Sequence, residues 1–331
     1  MLEHGGGLRA AAARYGIATG DWLDVSTGIN PQGWPVPPLP PTVWQRLPEV
    51  DDELEMTAAA YYGTPHILVT AGSQAAIQAL PRLREPGRVG VLQPSYAEHA
   101  HAWRQAGHQL EWLLPDQVAA AVDRLDVLVL VNPNNPTGQR FDSARLLNWR
   151  AQLAERDGWL VVDEAFMDAT PDHSLATRVG LPGLIVLRSL GKFFGLAGAR
   201  VGFALAEAEL RERLRELLGP WPVSGPARWT ATQALADRDW QAQTRLRLEQ
   251  ASKRLVDLLQ RQGLSVAGGA GLFQWLPLLE AEFWQDALAR RGILVRRFAD
   301  PPGLRFGLPG AELHWQRLEW ALVGVRAERL C

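Results

Sequence analysis

The sequence predicts an α/β fold in which a large doubly wound domain, with a mostly parallel sheet, is followed by a smaller α+β domain. The first observation is that short apolar runs alternate with longer helical patterns between about residues 54 and 187. Such alternation is typical of parallel strands joined by helices. The second is that residues 126–131 are almost wholly apolar, as expected of a strand buried on both faces.

The large domain is predicted over residues 41–222, after an N-terminal arm over residues 1–40. In the arm, Gly5 to Gly7 and the prolines between Pro31 and Pro41 oppose regular structure over much of the length. Apolar runs predict strands at residues 67–70, 89–92, 126–131, 159–162 and 184–187. Helices are predicted at residues 54–62, after Gly72-Ser73, and at residues 142–155.

The smaller domain is predicted over residues 223–331, because the character of the sequence changes after Gly219-Pro220 and Gly225-Pro226. A long amphipathic stretch, rich in Arg, Leu, Gln and Ala, covers about residues 227–262. Strands are expected at residues 273–276, 293–298 and 304–307, and helices near residues 281–291 and 311–328.

Composition excludes several classes of function. The 331 residues are 47% hydrophobic, which is enough for a large core, and the net charge of −2 gives no indication of nucleic-acid or anionic-membrane binding. Cys331 is the only cysteine, which excludes disulfides within the chain and cysteine-based metal sites. Neither a secretion signal nor an apolar stretch of roughly 18 residues is evident. We therefore expect a soluble, cytoplasmic protein without a metal site.

Lys192 follows the predicted strand at residues 184–187, in a segment with glycines at positions 191, 195 and 198. The glycines allow a bend tight enough to hold a lysine beside a ligand. Partial burial between Gly191 and Phe193 disfavours the ammonium form, and a neutral amine can form a Schiff base with an aldehyde. Ser189 and Arg200, which flank the lysine, suit a phosphate group. The alternative is an ordinary lysine in a surface loop.

Two further segments follow predicted strands, at the carboxyl edge where open α/β sheets bind ligands. Asp163 comes directly after an apolar run, and a carboxylate there can keep a pyridine nitrogen protonated. The alternatives are a helix cap or a metal ligand. Residues 131–138 form a turn with three asparagines and two prolines, in which an asparagine amide can donate to a phenolate oxygen. The alternative is an ordinary turn.

Gly72, Ser73 and Gln74 open a predicted helix, whose first backbone N–H groups and dipole attract an anion. The alternative is that Ser73 caps the helix without any ligand. Tyr96 follows another predicted strand and is a candidate to stack on an aromatic ring. A lysine for an aldehyde, an acid for a ring nitrogen, an amide for a ring oxygen and an anion site for a phosphate together indicate pyridoxal 5′-phosphate.

In this order, over nearly the whole chain, the segments resemble those of fold-type I pyridoxal-phosphate enzymes, specifically the class I/II aminotransferase superfamily. The resemblance implies that Lys192 forms the Schiff base, Asp163 pairs with the pyridine nitrogen and Asn135 contacts the 3′-oxygen. It implies that the cofactor phosphate is bound by Gly72, Ser73, Gln74, Ser189 and Arg200. It also implies that Arg305, in Leu304-Arg305-Phe306-Gly307, binds the substrate carboxylate.

Within this superfamily, His4-Gly5-Gly6-Gly7 and residues 23–31 resemble the threonine-phosphate decarboxylases of cobalamin biosynthesis, close relatives of histidinol-phosphate aminotransferase. The resemblance implies decarboxylation of L-threonine O-3-phosphate by a homodimer. It makes His4, Asn30 and Arg296 candidates to bind and orient the substrate. The alternatives are a histidinol-phosphate or related amino acid aminotransferase, and a non-catalytic aminotransferase-like binding domain.

Two positions depart from the pattern of these relatives. Phe166 stands where many have a tyrosine, and Leu47-Pro48 stands where many have Tyr-Pro. Each departure removes one expected contact to the cofactor and gives more weight to Asn135 and Arg200. Neither removes a reactive group, and the catalytic residues alone do not distinguish decarboxylation from transamination.

Overall fold

The computed structural model describes residues 4–49 and 52–330. Within them the chain forms twelve α-helices and thirteen β-strands. The helices are α1 (Leu8–Tyr15), α2 (Thr42–Gln45), α3 (Glu53–Tyr62), α4 (Gly72–Ala79), α5 (Ala97–Gln105), α6 (Val118–Ala121), α7 (Ser143–Ala154), α8 (Ala208–Leu218), α9 (Gly225–Ala236), α10 (Arg238–Arg261), α11 (Ala281–Ala289) and α12 (Glu312–Leu330). The strands are β1 (Leu23–Asp24), β2 (Ile67–Thr70), β3 (Arg88–Leu92), β4 (Gln109–Leu113), β5 (Val127–Val131), β6 (Trp159–Asp163), β7 (Leu184–Ser189), β8 (Gly202–Leu205), β9 (Gly268–Ala270), β10 (Phe273–Pro277), β11 (Ile293–Leu294), β12 (Arg296–Ala299) and β13 (Pro302–Gly307).

Contacts between residues divide the chain into two compact units. The large unit comprises residues 33–135 and 139–243, and the small unit comprises the described residues up to Gln32, Pro136–Gly138 and the chain from Thr244 onward. The domain boundaries predicted after residues 40 and 222 differ from the limits of these two units. They stay a prediction. No helix among residues 4–49 and 52–330 is both long and apolar enough to cross a membrane.

The large unit contains a seven-stranded sheet in the order β2-β8-β7-β6-β5-β3-β4. Strand β8 runs antiparallel to both of its neighbours, and every other pair of adjacent strands is parallel. The mostly parallel sheet predicted from the sequence is therefore confirmed. Because β8 is reversed, its first residue lies at the edge where β2, β3, β5, β6 and β7 end.

Both faces of this sheet are buried. Val129 of β5 belongs to an apolar cluster that includes Ile77 of α4 and Trp103 of α5. The alternate residues Leu128 and Leu130, whose side chains point to the opposite face, are also buried. Burial on both faces explains why this strand is apolar without alternation and could be predicted from a short run.

The predicted strands of the large unit are confirmed to within one or two residues. Strand β2 has the predicted bounds, and β7 extends two residues beyond its predicted end, to Ser189. Helix α3 ends before Gly63, as predicted, and the φ of 71° at this glycine is the left-handed conformation that closes many helices. Strands β4 and β8 were not predicted.

The small unit contains a four-stranded antiparallel sheet in the order β12-β13-β10-β9, and a separate parallel pair formed by β1 and β11. The arm contains more regular structure than the sequence predicts, because α1 and β1 lie within it. Ala11 and Trp22 bury their side chains in one apolar cluster with Ala289 and Leu294. These tertiary contacts stabilise a helix that is only eight residues long.

Two stretches of the small-domain sequence are each divided in the structure, and the prediction of one strand at residues 293–298 is wrong. The amphipathic stretch at residues 227–262 contains two helices, α9 and α10, which are separated at Asp237; its Oδ1 accepts a 3.0 Å hydrogen bond from the Trp240 N–H and thereby caps α10. The strand expected at residues 293–298 is divided at Val295. Its first part pairs with β1 and its second with β13, so the two parts belong to different sheets.

Candidate functional site

The carboxyl edge of the large sheet brings together the residues predicted to bind the cofactor. Asp163 is the last residue of β6, and it lies beside Leu187 of the adjacent strand β7. Lys192 follows the end of β7, Asn135 follows β5, and Tyr96 lies between β3 and α5. Because β6 lies between β7 and β5 in the sheet, the segment that contains Lys192 lies on one side of Asp163 and the turn that contains Asn135 lies on the other side.

At the β2 end of this edge, the first turn of α4 has the character of an anion site. Its N-cap residue, Ala71, makes no side-chain hydrogen bond to the helix. Gly72 has a φ of +70°, and a Cβ added to it would lie 2.7 Å from Nη2 of Arg200, so this guanidinium group lies against the helix N-terminus. Backbone N–H groups at a helix start and a guanidinium group both favour a phosphate.

The neighbouring strand approaches α4 closely at a glycine. A Cβ at Gly202, the first residue of β8, would collide with the backbone nitrogen of Ser73. On the adjacent strand, the Ser189 hydroxyl oxygen accepts a 3.2 Å hydrogen bond from the Gly191 N–H. The phosphate-binding candidates therefore lie just after β2, just before β8 and at the end of β7, and these three strands are adjacent in the sheet.

Gln74 links the first turn of α4 to Tyr96. Its Oε1 accepts a 3.3 Å hydrogen bond from the Tyr96 hydroxyl, and its Nε2 donates at 2.9 Å to Oε2 of Glu98. Burial, and then the negative charges of Asp163 and Glu98, raise the pKa of Tyr96 to about 12. The phenol is therefore neutral at ordinary pH and presents an uncharged ring.

Asp163 is held in place from two sides. Its Oδ1 accepts a 3.0 Å hydrogen bond from the Ala165 N–H, and its Oδ2 lies 2.9 Å from Nε2 of His99. An ionised carboxylate only accepts hydrogen bonds, so it fixes the tautomer of His99 that carries a proton on Nε2. Both side chains are buried. Sequence reasoning missed His99, which lies in the first turn of α5, because nothing in the local sequence indicates its contact with Asp163.

The side chain of Lys192 points to an aromatic neighbour. Its Nζ lies 5.6 Å from the centre of the Phe166 ring, the position where many relatives were expected to carry a tyrosine. The next two residues, Phe193 and Phe194, are fully buried, and Phe194 stacks on Trp240 at 5.6 Å. This aromatic packing anchors the loop, so the position of the lysine depends on the core rather than on a flexible surface segment.

A buried ionic cluster lies beside these residues and was not predicted. Arg188, just before Ser189, donates from Nη1 to Oε2 of Glu164 at 2.7 Å and from Nη2 to Asp168. Its guanidinium carbon lies 4.7 Å from the centre of the Tyr62 ring. Burial alone would lower the pKa of Arg188, but the charges of Asp168 and Glu164 outweigh it and raise that pKa. The cluster ties β7 to the turn that follows Asp163.

In the small unit, two of the predicted substrate-binding residues are cross-strand neighbours. Arg296 on β12 pairs with Arg305 on β13. Nη2 of Arg305 donates a 2.6 Å hydrogen bond to the carbonyl oxygen of Ser26. Burial first, and then the positive charge of Arg296, lower the pKa of Arg305 to about 10, although Asp24 opposes this change. An anion beside Arg305 and Arg296 would offset much of the free-energy cost of burying the positive charge of Arg305 next to that of Arg296.

The other two predicted substrate-binding residues also lie in the small unit. Arg296 donates from Nη1 to the backbone carbonyl oxygen of His4 in a long hydrogen bond of 3.5 Å. Asn30 is buried, and its Oδ1 accepts a 3.0 Å hydrogen bond from the Gln32 N–H. This contact gives Asn30 a role in the shape of its loop, and its role towards substrate stays a prediction.

Comparison with known proteins identifies the family. Residues 44–312 match the family described as aminotransferase class I and II. The chain belongs to this family. The family resemblance and the fold class predicted from the sequence are therefore both confirmed.

Relatives within the aminotransferase family cover almost the whole chain. A Pseudomonas aeruginosa protein named threonine-phosphate decarboxylase is 58% identical over 326 residues, which are 98% of this chain and 98% of that protein. A Sinorhizobium protein with the same name is 41% identical and covers 93% of each chain. Among solved structures, histidinol-phosphate aminotransferase from Clostridium acetobutylicum has a TM-score of 0.82 at 22% identity, covering 92% of this chain and 99% of its own. This last likeness shows the fold alone.

The residues at the carboxyl edge fit pyridoxal phosphate. The uncapped start of α4 lies against the guanidinium group of Arg200, and a Cβ at position 72 would collide with that group. The buried Asp163–His99 pair offers a fixed carboxylate for a ring nitrogen, and Lys192 offers an amine. These groups suit the phosphate, the pyridine nitrogen and the aldehyde of this cofactor.

Proposed function

We propose that this chain is a pyridoxal-phosphate-dependent decarboxylase that converts L-threonine O-3-phosphate to (R)-1-aminopropan-2-yl phosphate in cobalamin biosynthesis. The observation that carries the proposal is the pair of neighbouring guanidinium groups of Arg296 and Arg305 in the small unit. A substrate with a carboxylate and a phosphate brings the negative charge that this pair favours. The names of the 58% and 41% identical relatives support this choice of substrate.

We assign the cofactor to residues of the large unit. The amine of Lys192 would attach to the aldehyde carbon, Asp163 would keep a proton on the ring nitrogen, and Asn135 would donate to the 3′-oxygen. Tyr96 would stack on the ring. The phosphate would be bound by Gly72, Ser73, Gln74, Ser189 and Arg200. Bound in this way, pyridoxal phosphate supplies an electron sink for the electron pair left at Cα when one of its bonds breaks.

We assign the substrate to residues of the small unit. Arg305 and Arg296 would bind its two anionic groups, and His4 and Asn30 would complete its orientation. Orientation decides the reaction, because the bond to Cα that breaks is the one perpendicular to the cofactor ring. Arg305 would hold the substrate carboxylate in that direction, which favours loss of carbon dioxide over loss of the Cα proton. Lys192 would then deliver one proton to Cα, which balances the loss of the carboxylate.

The deciding experiment is an assay of the purified protein with pyridoxal phosphate. With O-phospho-L-threonine, we expect release of one carbon dioxide for each aminopropanol phosphate formed. Amino transfer from histidinol phosphate to 2-oxoglutarate, without carbon dioxide, would replace the proposal with an aminotransferase. If the protein binds the cofactor but turns over neither substrate, a non-catalytic binding domain would be the better description.

The lysine assignment can be tested with an internal control, because Lys253 is the only other lysine of the chain. Lys192→Ala should abolish activity and the visible absorption of covalently attached cofactor, since only an amine can make that bond. Lys253 is exposed on α10, so Lys253→Ala should leave both unchanged. Reduction with borohydride followed by peptide mapping should find the cofactor on position 192. A label on position 253 would make the assignment wrong.

We also propose that the protein acts as a cytoplasmic homodimer. Several large apolar side chains of the large unit are exposed, among them Trp44, Met56 and Trp221. Exposed aromatic and apolar side chains of this size favour a protein interface. The chain has a mass of 36.5 kDa, and sedimentation equilibrium should give twice this value. A monomer at micromolar concentration would contradict the dimer without affecting the proposed reaction.

A further inference from the structure

Ser26 has contacts with two segments that are remote from it in the sequence. Its Oγ accepts a 2.7 Å hydrogen bond from the Gly6 N–H, and its carbonyl oxygen accepts a 2.6 Å bond from Nη2 of Arg305. Ser26 is itself buried. One residue therefore holds both the N-terminal glycine segment and the guanidinium group assigned above to the substrate.

The Ser26 hydroxyl group is oriented by Asp24. It donates a 2.6 Å hydrogen bond to Oδ1 of Asp24, and the same Oδ1 accepts the Ser26 N–H at 2.8 Å. Because the hydroxyl proton is committed to the carboxylate, an oxygen lone pair faces the Gly6 N–H. The bond to Gly6 is therefore specified by a side-chain pair, and an alanine at position 26 would lose it.

The N-terminal segment also packs directly on the carbonyl group that Arg305 binds. A Cβ at Gly5 would collide with the carbonyl oxygen of Ser26, whereas a Cβ at Gly7 would have no atom within 4 Å. On β13, the Gly307 N–H donates a 2.7 Å hydrogen bond to the Val25 carbonyl oxygen. Residues 25–26 thus lie between the N-terminal segment and β13, and a displacement of the segment reaches Arg305 through one carbonyl group.

The same segment also reaches the second arginine. The carbonyl oxygen of His4 accepts the hydrogen bond from Arg296, the cross-strand neighbour of Arg305. Docking of residues 4–6 on Ser26 is therefore linked to both guanidinium groups. Fixing two charged groups before a ligand arrives reduces the entropy that binding must otherwise overcome.

We propose that Ser26 is a positioning residue that couples docking of the His4–Gly6 segment to the orientation of Arg305 and Arg296, and so sets the affinity for the phosphorylated substrate. The proposal rests on the function proposed above for the choice of ligand. Hydrogen bonds within a turn, such as the one from Ser26 to Asp24, are common structural features. The contacts with Gly6 and Arg305 are different, because they span 20 and 279 residues of sequence.

The sharpest test compares two glycines of the same segment. Gly5→Ala should weaken binding of O-phospho-L-threonine about 10-fold, the loss expected from one well-formed hydrogen bond to a charged group. Gly7→Ala should leave binding unchanged, because its new methyl group meets no atom within 4 Å. Isothermal titration calorimetry measures both. Equal affinities of the two variants would overturn the proposal.

The second test changes Ser26 and measures docking independently of any reaction. Ser26→Ala should weaken binding about 10-fold and speed hydrogen exchange of the Gly6 amide at least about 10-fold, whereas Ser26→Thr should restore both because it keeps the hydroxyl group. Ser252→Ala, which removes a 2.8 Å hydrogen bond to Gln274 in the same unit, should change neither. Faster hydrogen exchange of the Gly6 amide in Ser26→Ala, with unchanged affinity for O-phospho-L-threonine, would contradict the proposed coupling. If the wild-type protein binds this ligand but does not decarboxylate it, the proposed function fails and the proposal about Ser26 stands.

Discussion

Arg188 of the large unit and Arg305 of the small unit are both nearly inaccessible, with exposed fractions of 1% and 6%, yet their pKa values are shifted in opposite directions. Two carboxylates, Glu164 and Asp168, contact Arg188 and raise its pKa. Around Arg305, burial and the positive charge of Arg296 lower the pKa. The same residue type at similar burial is therefore compensated in one region and electrostatically strained in the other.

This difference separates a charge that neighbouring carboxylates compensate within the fold from one that a bound anion would compensate. Arg188 stabilises the fold where it stands, because removing it would leave two carboxylates buried without their cation. The positive charge of Arg305 opposes folding to some extent, and a bound anion would compensate it. Strain of this kind is common at binding sites, where stability is sacrificed for affinity. Variants of the two arginines should consequently fail in different assays.

The largest expected effect is on stability in the large unit. Arg188→Met should lower the free energy of unfolding by about 3–5 kcal/mol, because Glu164 and Asp168 remain buried and lose their partner. Urea denaturation of the cofactor-free protein measures this change. Arg254→Met is the control, since the Arg254–Glu312 pair is largely exposed to solvent and its loss should change the free energy of unfolding far less. Equal losses in the two variants would contradict the distinction between buried and exposed pairs.

The corresponding variant in the small unit should lose ligand affinity rather than stability. Arg305→Gln should weaken binding of O-phospho-L-threonine about 10- to 100-fold, because hydrogen bonds to a charged group are lost. Its free energy of unfolding should fall by less than about 1 kcal/mol, since a strained buried charge is removed with its hydrogen bonds. Calorimetric titration and urea denaturation measure the two quantities. A loss of stability as large as that of Arg188→Met would remove the contrast on which the comparison depends.

A smaller effect is expected at the histidine beside Asp163. His99→Asn should lower cofactor affinity and kcat about 10-fold each, because Oδ2 of Asp163 loses a hydrogen bond at 2.9 Å. Titration of the visible absorption with pyridoxal phosphate gives the affinity. His108→Asn is the matched control: His108 is another buried histidine of the large unit, and Nε2 lies 2.9 Å from the Pro81 carbonyl oxygen. That variant should lose stability and keep its cofactor affinity. If His108→Asn lowered the cofactor affinity and His99→Asn did not, His99 would be excluded from the cofactor site.

The smallest expected effect is at Tyr96. Tyr96→Phe should change kcat/KM less than about 3-fold, because the hydrogen bond to Gln74 is long, at 3.3 Å, and the ring remains. With a pKa of about 12, the phenol keeps its proton as the pH rises through 10 and loses it only near 12. The alkaline side of the pH–rate profile should therefore be the same in both proteins below pH 11. Loss of a transition near pH 10 in the variant would show that Tyr96 titrates there.

The sequence by itself determined the elements that have local signals. The apolar run of β2 and the helix ending at Gly63 have their predicted positions, because hydrophobic pattern and helix termination depend on neighbouring residues. Lys192 and Asp163 could be placed at one edge of the sheet for the same reason. Each follows a buried run, and the carboxyl ends of parallel strands lie together.

Only the tertiary structure decided the features that depend on distant partners. Residues 293–298 read as one strand, but β11 pairs with β1, which lies about 270 residues earlier, and β12 pairs with β13. Arg188, His99 and Ser26 have no local pattern that reveals their partners. A charge or a hydroxyl group takes its role from what surrounds it after folding, and hydrophobic periodicity carries no information about those surroundings.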